Sequence, residues 1–483
     1  MLLDLRPVLV VNGYVLLILA ATMGVPLVVD LAVEGTEWSA FILAIAVSGF
    51  VGLGMVLSAR RPGPFRLGTR EAFLSTASAW LLGGVVSALP FCTGPMHLSV
   101  TDALFEAVSG LTTTGATVMR DLDHAPASLL LWRALLNWIG GIGIILTAVA
   151  VLPFLRIGGM QLFRLDSSES GDASIPRLSK LAWSLLAGYS LFTFILAIAF
   201  MIAGMNLLEA VCHAMSTIST GGFSTSDRSL GHFSEAARWI AVIGMVAGGT
   251  SFTLFLEPWR RGPAALFGDS QVRRYLMIIV IMSLLLTVWN WSSGHMALGE
   301  ALERSIFNAT SVLTTSGFHW GDYDSWGGFA QVAFFIMAFI GGCSGSAAGG
   351  IKVFRLEVLF AAAGIHLRRL LHPHGVFAIE LNERRISEPV VRSVLGFVML
   401  YLICVALLAL ALALTGLDAG TSLSGAASAL GNIGPGLGPI IGPAGSYQDV
   451  PQAAKWILTA GMLLGRLEVA TVIAVFSRAF WRS

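Results

Sequence analysis

Four times along this chain, a glycine follows an apolar residue by four positions inside a short run rich in hydroxyls. The runs are SGLTTTGAT at 109–117, MSTISTGGF at 215–223, SVLTTSGF at 311–318 and SALGNIGPG at 428–436. The apolar residues are Leu111, Ile218, Leu313 and Leu430; the glycines are Gly115, Gly222, Gly317 and Gly434. Successive glycines lie 107, 95 and 117 residues apart, which marks a divergent fourfold internal repeat. One such run is commonplace in loops. Four at near-regular spacing, each between long apolar stretches, call for a frame that brings them together.

That frame is a membrane. Of 483 residues, 55% are apolar and only 12% charged, whereas soluble domains carry about 25% charge. A net charge of +1 argues against a nucleic-acid surface. Cys92, Cys212, Cys343 and Cys404 lie in apolar context without CxxC spacing, so neither a disulfide framework nor a zinc site is expected. Arg6 followed by a long apolar run, without a small-residue cleavage site, reads as a retained first span.

Apolar runs long enough to cross a bilayer, roughly 20 residues, fall into ten groups. The first pair is 8–30 and 38–58. Four pairs follow: 72–91 with 128–152, 181–204 with 237–256, 274–291 with 328–362, and 390–415 with 452–477. Inside each of these four pairs a shorter half-apolar segment leads into the glycine run, at 101–111, 207–218, 298–313 and 419–430. Each is too short to span and reads as a re-entrant half-helix, because irregular backbone at membrane depth needs protein or a wet cavity around it. The expected fold is an all-α polytopic membrane protein: an N-terminal helix pair (1–58), then four repeats of span, half-helix, loop and span at 59–152, 153–257, 258–363 and 364–483.

Placing the termini and the linkers 59–71, 153–180, 257–274 and 352–392 on one side gathers 22 of the 29 Lys and Arg there. The positive-inside bias makes that side, with both termini, cytoplasmic. The glycine loops then open outward, on a side that holds 16 of the 28 Asp and Glu.

An ion leaving water needs oxygens to replace its hydration shell, and backbone carbonyls converging from several loops supply them without fixed charge. Turning successive carbonyls the same way requires angles that glycine adopts at little steric cost. The candidate ion-binding positions are Thr112, Thr113, Thr114 and Gly115; Ser219, Thr220, Gly221 and Gly222; Thr314, Thr315, Ser316 and Gly317; and Gly431, Asn432, Ile433 and Gly434. Each half-helix ends at its loop, so four negative dipole ends face a shared centre. Acidic residues near the other ends (Asp102, Glu209, Glu300, Glu303, Asp418) suit the positive ends. Both features favour a cation.

At these residues the chain resembles the Trk/Ktr/HKT superfamily of potassium transporters. SGLTTTGAT, STISTGGFST, LTTSGFHWGDYD and SALGNIGPGLG are similar to its four selectivity-filter segments, and the extra N-terminal pair brings the match closest to the bacterial TrkH/TrkG membrane subunits. The resemblance covers nearly the whole chain. It implies four M1–pore helix–M2 repeats around one pore, a homodimer in the bacterial inner membrane, and a soluble TrkA-like ring of RCK nucleotide-binding domains on the cytoplasmic face. It also implies potassium as the substrate at the filter, with the four glycines carrying selectivity. Nucleotide would act only through that partner, since the chain has no Walker or GxGxxG site in a credible soluble domain. Asn432 and Ile433 depart most from the family pattern, so looser selection against sodium or rubidium is expected there.

Residues 341–350, GGCSGSAAGG, are a poor helix interior. Close helix packing through small residues is one reading; the other, which the resemblance supports, is an unwound gate beneath the filter. Its candidate residues are Gly341, Gly342, Gly345, Ser346, Gly349 and Gly350, with Lys352 marking the cytoplasmic exit. Arg466 lies deep in the last span, where an arginine is costly. A structural ion pair is one account, although Glu468, two residues on, points elsewhere on a helix. The resemblance implies instead a charge facing the pore below the filter.

His372 and His374 read as residues of a solvated loop. Two other classes compete: a secondary carrier coupling potassium to protons or sodium, which would want titratable groups at its midplane, and a membrane-embedded enzyme. No His/Asp/Glu cluster at catalytic or metal spacing sits on the apolar spans, so no enzyme is expected.

Overall fold

Helices dominate the computed structural model, which describes residues 4–59, 68–94, 96–150, 175–256, 264–382 and 384–482. Parts of three expected linkers, 60–67, 153–174 and 257–263, lie outside the described residues, whereas 352–392 is described except at 383. Seven described helices are long and apolar enough to cross a membrane: Arg6–Ala32, Trp38–Ser58, Arg70–Thr93, Ala127–Thr147, Ser179–Ile202, Ser270–Ser292 and Glu388–Ala413. An eighth arises if Gln452–Arg466 and Val469–Phe476, bent by 105° at their junction, count as one span.

The four half-helices occupy Val100–Leu111, Leu207–Ile218, Leu298–Leu313 and Ala419–Gly431. Three start with side-chain caps: Ser99 accepts from the Asp102 N–H, Asn206 and Glu209 form a reciprocal capping box, and Asp418 accepts from the Thr421 N–H. These caps place carboxylates at positive helix ends, as the sequence pattern suggests.

The second helix of three repeats departs from a plain span. In the second repeat it is Glu235–Gly248, which stops at paired glycines. In the third it is split into Gly328–Met337 and Val353–Leu371 by the small-residue run. In the fourth it ends at Arg466, Glu468 takes φ +57°, and a new helix leaves in another direction. In the second and third repeats the reason is local, since glycine-rich or small-residue sequence offers little to hold a helix against competing backbone bonds.

The N-terminal pair packs through glycines: a Cβ on Gly13 would lie 2.7 Å from the Gly52 carbonyl oxygen. Asn12 Nδ2 ties the pair to the first repeat by donating to Ser78 Oγ at 2.7 Å. Four main apolar clusters follow, each centred on one repeat. The outer faces of the long helices carry exposed Phe50, Ile202 and Leu414, as lipid-facing surfaces do. A short antiparallel hairpin, β1 (Ile379–Leu381) with β2 (Arg384–Ile386), links Val353–Leu371 to Glu388–Ala413.

Candidate functional site

Each half-helix ends in the same backbone device. The N–H of Thr114, Gly221, Ser316 and Ile433 returns to the carbonyl of Ser109, Ser216, Ser311 and Ser428, at 2.8 to 3.0 Å. That closure requires a left-handed residue just before it. Thr113, Thr220, Thr315 and Asn432 fill that position with φ of +54°, +52°, +57° and +53°. Left-handed backbone in a β-branched residue is strained, so the same strain is installed three times, with asparagine, which tolerates it better, in the fourth copy. Two residues later the chain turns again at Gly115, Gly222, Gly317 and Gly434, with φ of +79°, +76°, +77° and +106°.

The four loops close into a ring in chain order. A Cβ on Gly115 would collide with the Gly221 carbonyl oxygen, one on Gly222 with that of Ser316, one on Gly317 with that of Ile433, and one on Gly434 with that of Thr114. Each glycine therefore abuts the next loop, and the fourth returns to the first. All four glycines line a single cavity of about 520 Å³, walled also by Arg133, Asp227, His319 and Tyr447. The residues from Thr112 to Thr114, Ser219 to Gly221, Thr314 to Gly317 and Gly431 to Ile433 are buried.

The loop hydroxyls serve the backbone. Thr112 Oγ1 donates to the Val108 carbonyl and meets Thr114 Oγ1 at 2.7 Å; Thr314 Oγ1 meets Ser316 Oγ at 2.8 Å. Asn432 Nδ2 donates to Thr114 Oγ1 and to the Met462 carbonyl. The fourth loop differs at its glycine, because the Gly434 carbonyl accepts from Ser428 Oγ at 2.9 Å and Tyr447 OH at 2.7 Å.

Residues 341–350 form a compact loop against the ring, on the side away from the cavity. Gly341 and Gly350 make its neck, both with positive φ and so close that neither has room for a side chain. The Gly349 N–H donates to Thr315 Oγ1 at 2.8 Å, and the Gly350 N–H to the Gly431 carbonyl at 3.1 Å. Cys343 N–H bonds the Gly249 carbonyl, Phe252 N–H bonds the Gly345 carbonyl, and Ser346 Oγ bonds the Cys343 carbonyl. Gly342 sits against Gly249, and Lys352 follows the neck, buried, with φ +74°.

Arg466 is buried and bonds that loop: Nη1 donates to the Ala347 carbonyl at 2.9 Å and Nη2 to the Gly140 carbonyl at 3.2 Å. Glu468 pairs with Arg355 at 2.7 Å. A structural ion pair for Arg466 is thus not what the fold uses, for its partners are carbonyls. Among the described residues no group of three His, Cys, Asp or Glu could hold a metal.

The sequence model of the TrkH family, described as a cation transport protein, matches residues 39–483. This chain belongs to the TrkH family. The Trk system potassium uptake protein TrkI of Halomonas elongata is 41% identical over 479 residues, covering 99% of this chain and 97% of that one. The Trk system potassium uptake protein TrkH of Escherichia coli K12 is 36% identical over 487 residues, covering 99% of both. The crystal structure of the potassium transporter TrkH from Vibrio parahaemolyticus matches with TM-score 0.92 and 34% identity, covering 99% of this chain and 100% of that one. The superfamily resemblance on the glycine runs therefore holds over the full length.

Two sets of residues escaped the sequence reading. Ser109, Ser216, Ser311 and Ser428 stand six residues before each glycine, a fixed spacing that aligning on the apolar position left in view but unused. Gly140, Gly248 and Gly465 on the second helices let the Leu111, Ile218 and Leu430 carbonyls approach without a side chain between. The first two recur 25 and 26 residues after their loop glycines, which is the signal that could have found them.

Proposed function

We propose that this TrkH-family chain is the ion-translocating subunit of a bacterial Trk-type potassium uptake system, conducting in a channel-like way. The supporting observation is the closed ring of four loops at Gly115, Gly222, Gly317 and Gly434, with half-helix ends converging on it. Potassium is the substrate by analogy with the names of the relatives. It would shed water at the ring, where carbonyls replace the hydration shell, and pass on when the 341–350 loop withdraws. Arg466, held to Ala347, would stabilise the closed arrangement and discourage a cation from lingering beneath the ring.

In this reading the chain lies in the inner membrane with both termini cytoplasmic. It works as a homodimer, and a soluble TrkA-like RCK ring brings nucleotide control from that side. No cofactor is needed in the chain itself, and no enzymatic step is involved.

The test is rubidium flux into liposomes holding the purified chain, with potassium, sodium and proton gradients varied separately. Flux down the potassium gradient that ignores the proton and sodium gradients is expected. Flux driven uphill by either gradient would replace the pore with a coupled carrier.

A further inference from the structure

Behind each loop the half-helix sends one polar side chain to the strand of backbone that climbs away from the glycine. In the first repeat Glu106 accepts from Thr117 Oγ1 at 2.9 Å and from the Val118 N–H at 2.9 Å. In the second, His213 stands at the same distance before its glycine. Its Nδ1 lies 2.8 Å from the Glu209 carbonyl, which can only accept, so Nε2 is left to accept from Ser224 Oγ at 2.9 Å. In the third, Asn308 donates to the Trp320 carbonyl at 3.1 Å and accepts from its N–H at 3.0 Å. In the fourth, that position is Gly425, and neighbouring Ser424 takes over, bonding the carbonyl and N–H of Leu437 at 3.1 and 2.9 Å. The targets lie two or three residues after Gly115, Gly222, Gly317 and Gly434 in every repeat.

The first clamp reaches further. Arg133, fully buried, donates to Glu106 at 2.7 Å and to Thr117 Oγ1 at 3.0 Å, while Nη1 donates to the Ser224 carbonyl of the second loop at 3.1 Å. Its guanidinium also lies 4.1 Å from the Phe223 ring centre. One buried ion pair thus fixes the climbing limbs of two adjacent loops. Removing one partner of such a pair leaves an uncompensated charge, so the geometry is strongly held.

We propose that Glu106 with Arg133, His213, Asn308 and Ser424 are positioning residues that set the spacing of the ring, and hence its discrimination between potassium and sodium. On one account of selection among similar cations, the coordinating oxygens resist closing around the smaller ion. Bonds that anchor the limb on the far side of each glycine oppose that collapse. The inference rests on the potassium-pore reading above.

The test is potassium-against-sodium selectivity, measured separately from total rubidium flux, in liposomes holding the wild-type chain, Glu106→Gln, Ser424→Ala or Ser424→Thr. Ser424→Ala removes one small clamp without burying a charge, and Ser424→Thr restores the hydroxyl. Ser424→Ala breaks both bonds to Leu437, each of about 1 kcal/mol, so a fall in the potassium preference of roughly fivefold or more is expected for Ser424→Ala, with recovery in Ser424→Thr and a larger fall in Glu106→Gln. Folded Ser424→Ala with unchanged selectivity overturns the proposal, whether or not Glu106→Gln folds. A non-selective or gradient-coupled wild type would instead overturn the pore reading.

Discussion

Thr315 Oγ1 accepts a hydrogen bond from the Gly349 N–H at 2.8 Å, so the third glycine loop is bonded directly to the loop that interrupts the third repeat's second helix. Thr315→Val keeps the shape and removes the acceptor. If the 341–350 loop closes the path, basal rubidium flux should rise about fivefold, matching one lost bond of about 1 kcal/mol. Flux into liposomes at a fixed potassium gradient reads this out, and an unchanged rate would exclude this contact from the gate.

Arg466 holds the same loop from the other side through the Ala347 carbonyl. Arg466→Gln retains a donor but removes the charge and one arm. Flux should rise at least as much as in Thr315→Val. Combining the two should give less than the product of the separate increases, because both act on one element.

Gly115→Ser would push a side chain into the Gly221 carbonyl oxygen and impose φ +79° on a residue that resists it. The ring should open at that contact, and the potassium-to-sodium permeability ratio should fall by about tenfold or more, the effect of about 1.4 kcal/mol. An unchanged ratio would remove Gly115 from the selective site.

Gly140→Ala places a methyl group against the Leu111 carbonyl, where none fits. Overpacking of this kind costs about 1–3 kcal/mol. The purified variant should melt several degrees below the wild type, and its selectivity should loosen because the end of the first half-helix is displaced.

Glu37, in the turn between the first two helices, has its carboxyl raised from 4.5 to about 7 by burial and by neighbouring Asp30. The folded state therefore keeps a proton that the unfolded chain releases, and stability from this group is lost as pH rises through that window. Glu37→Gln should match the wild type near pH 4 and melt a few degrees above it near pH 8, as followed by thermal unfolding in detergent.

The sequence made the four half-helices legible almost to the residue, because an apolar moment ending at a glycine is a local signal: 207–218 and 298–313 are the observed helices. The small-residue run at 341–350 also announced a break in its helix. What stayed hidden were contacts between distant segments that follow no period. Nothing in the sequence pairs Gly349 with Thr315, Arg355 with Glu468, or Arg133 with Ser224. The end of a helix at Arg466 was also out of reach, since the stretch around it, GMLLGRLEVA, carries no proline or glycine run to stop a helix.

The loops meet in chain order and in one polypeptide, each glycine against its successor. In a pore assembled from four identical chains, any substitution strikes all four quadrants at once. Here a change can be made in one quadrant, two neighbours or two opposites. On the pore reading, the contribution of each wall to an ion's passage becomes separable by ordinary mutagenesis, and natural drift can specialise one wall, as Asn432 and the doubly bonded Gly434 carbonyl illustrate, while three others keep their form.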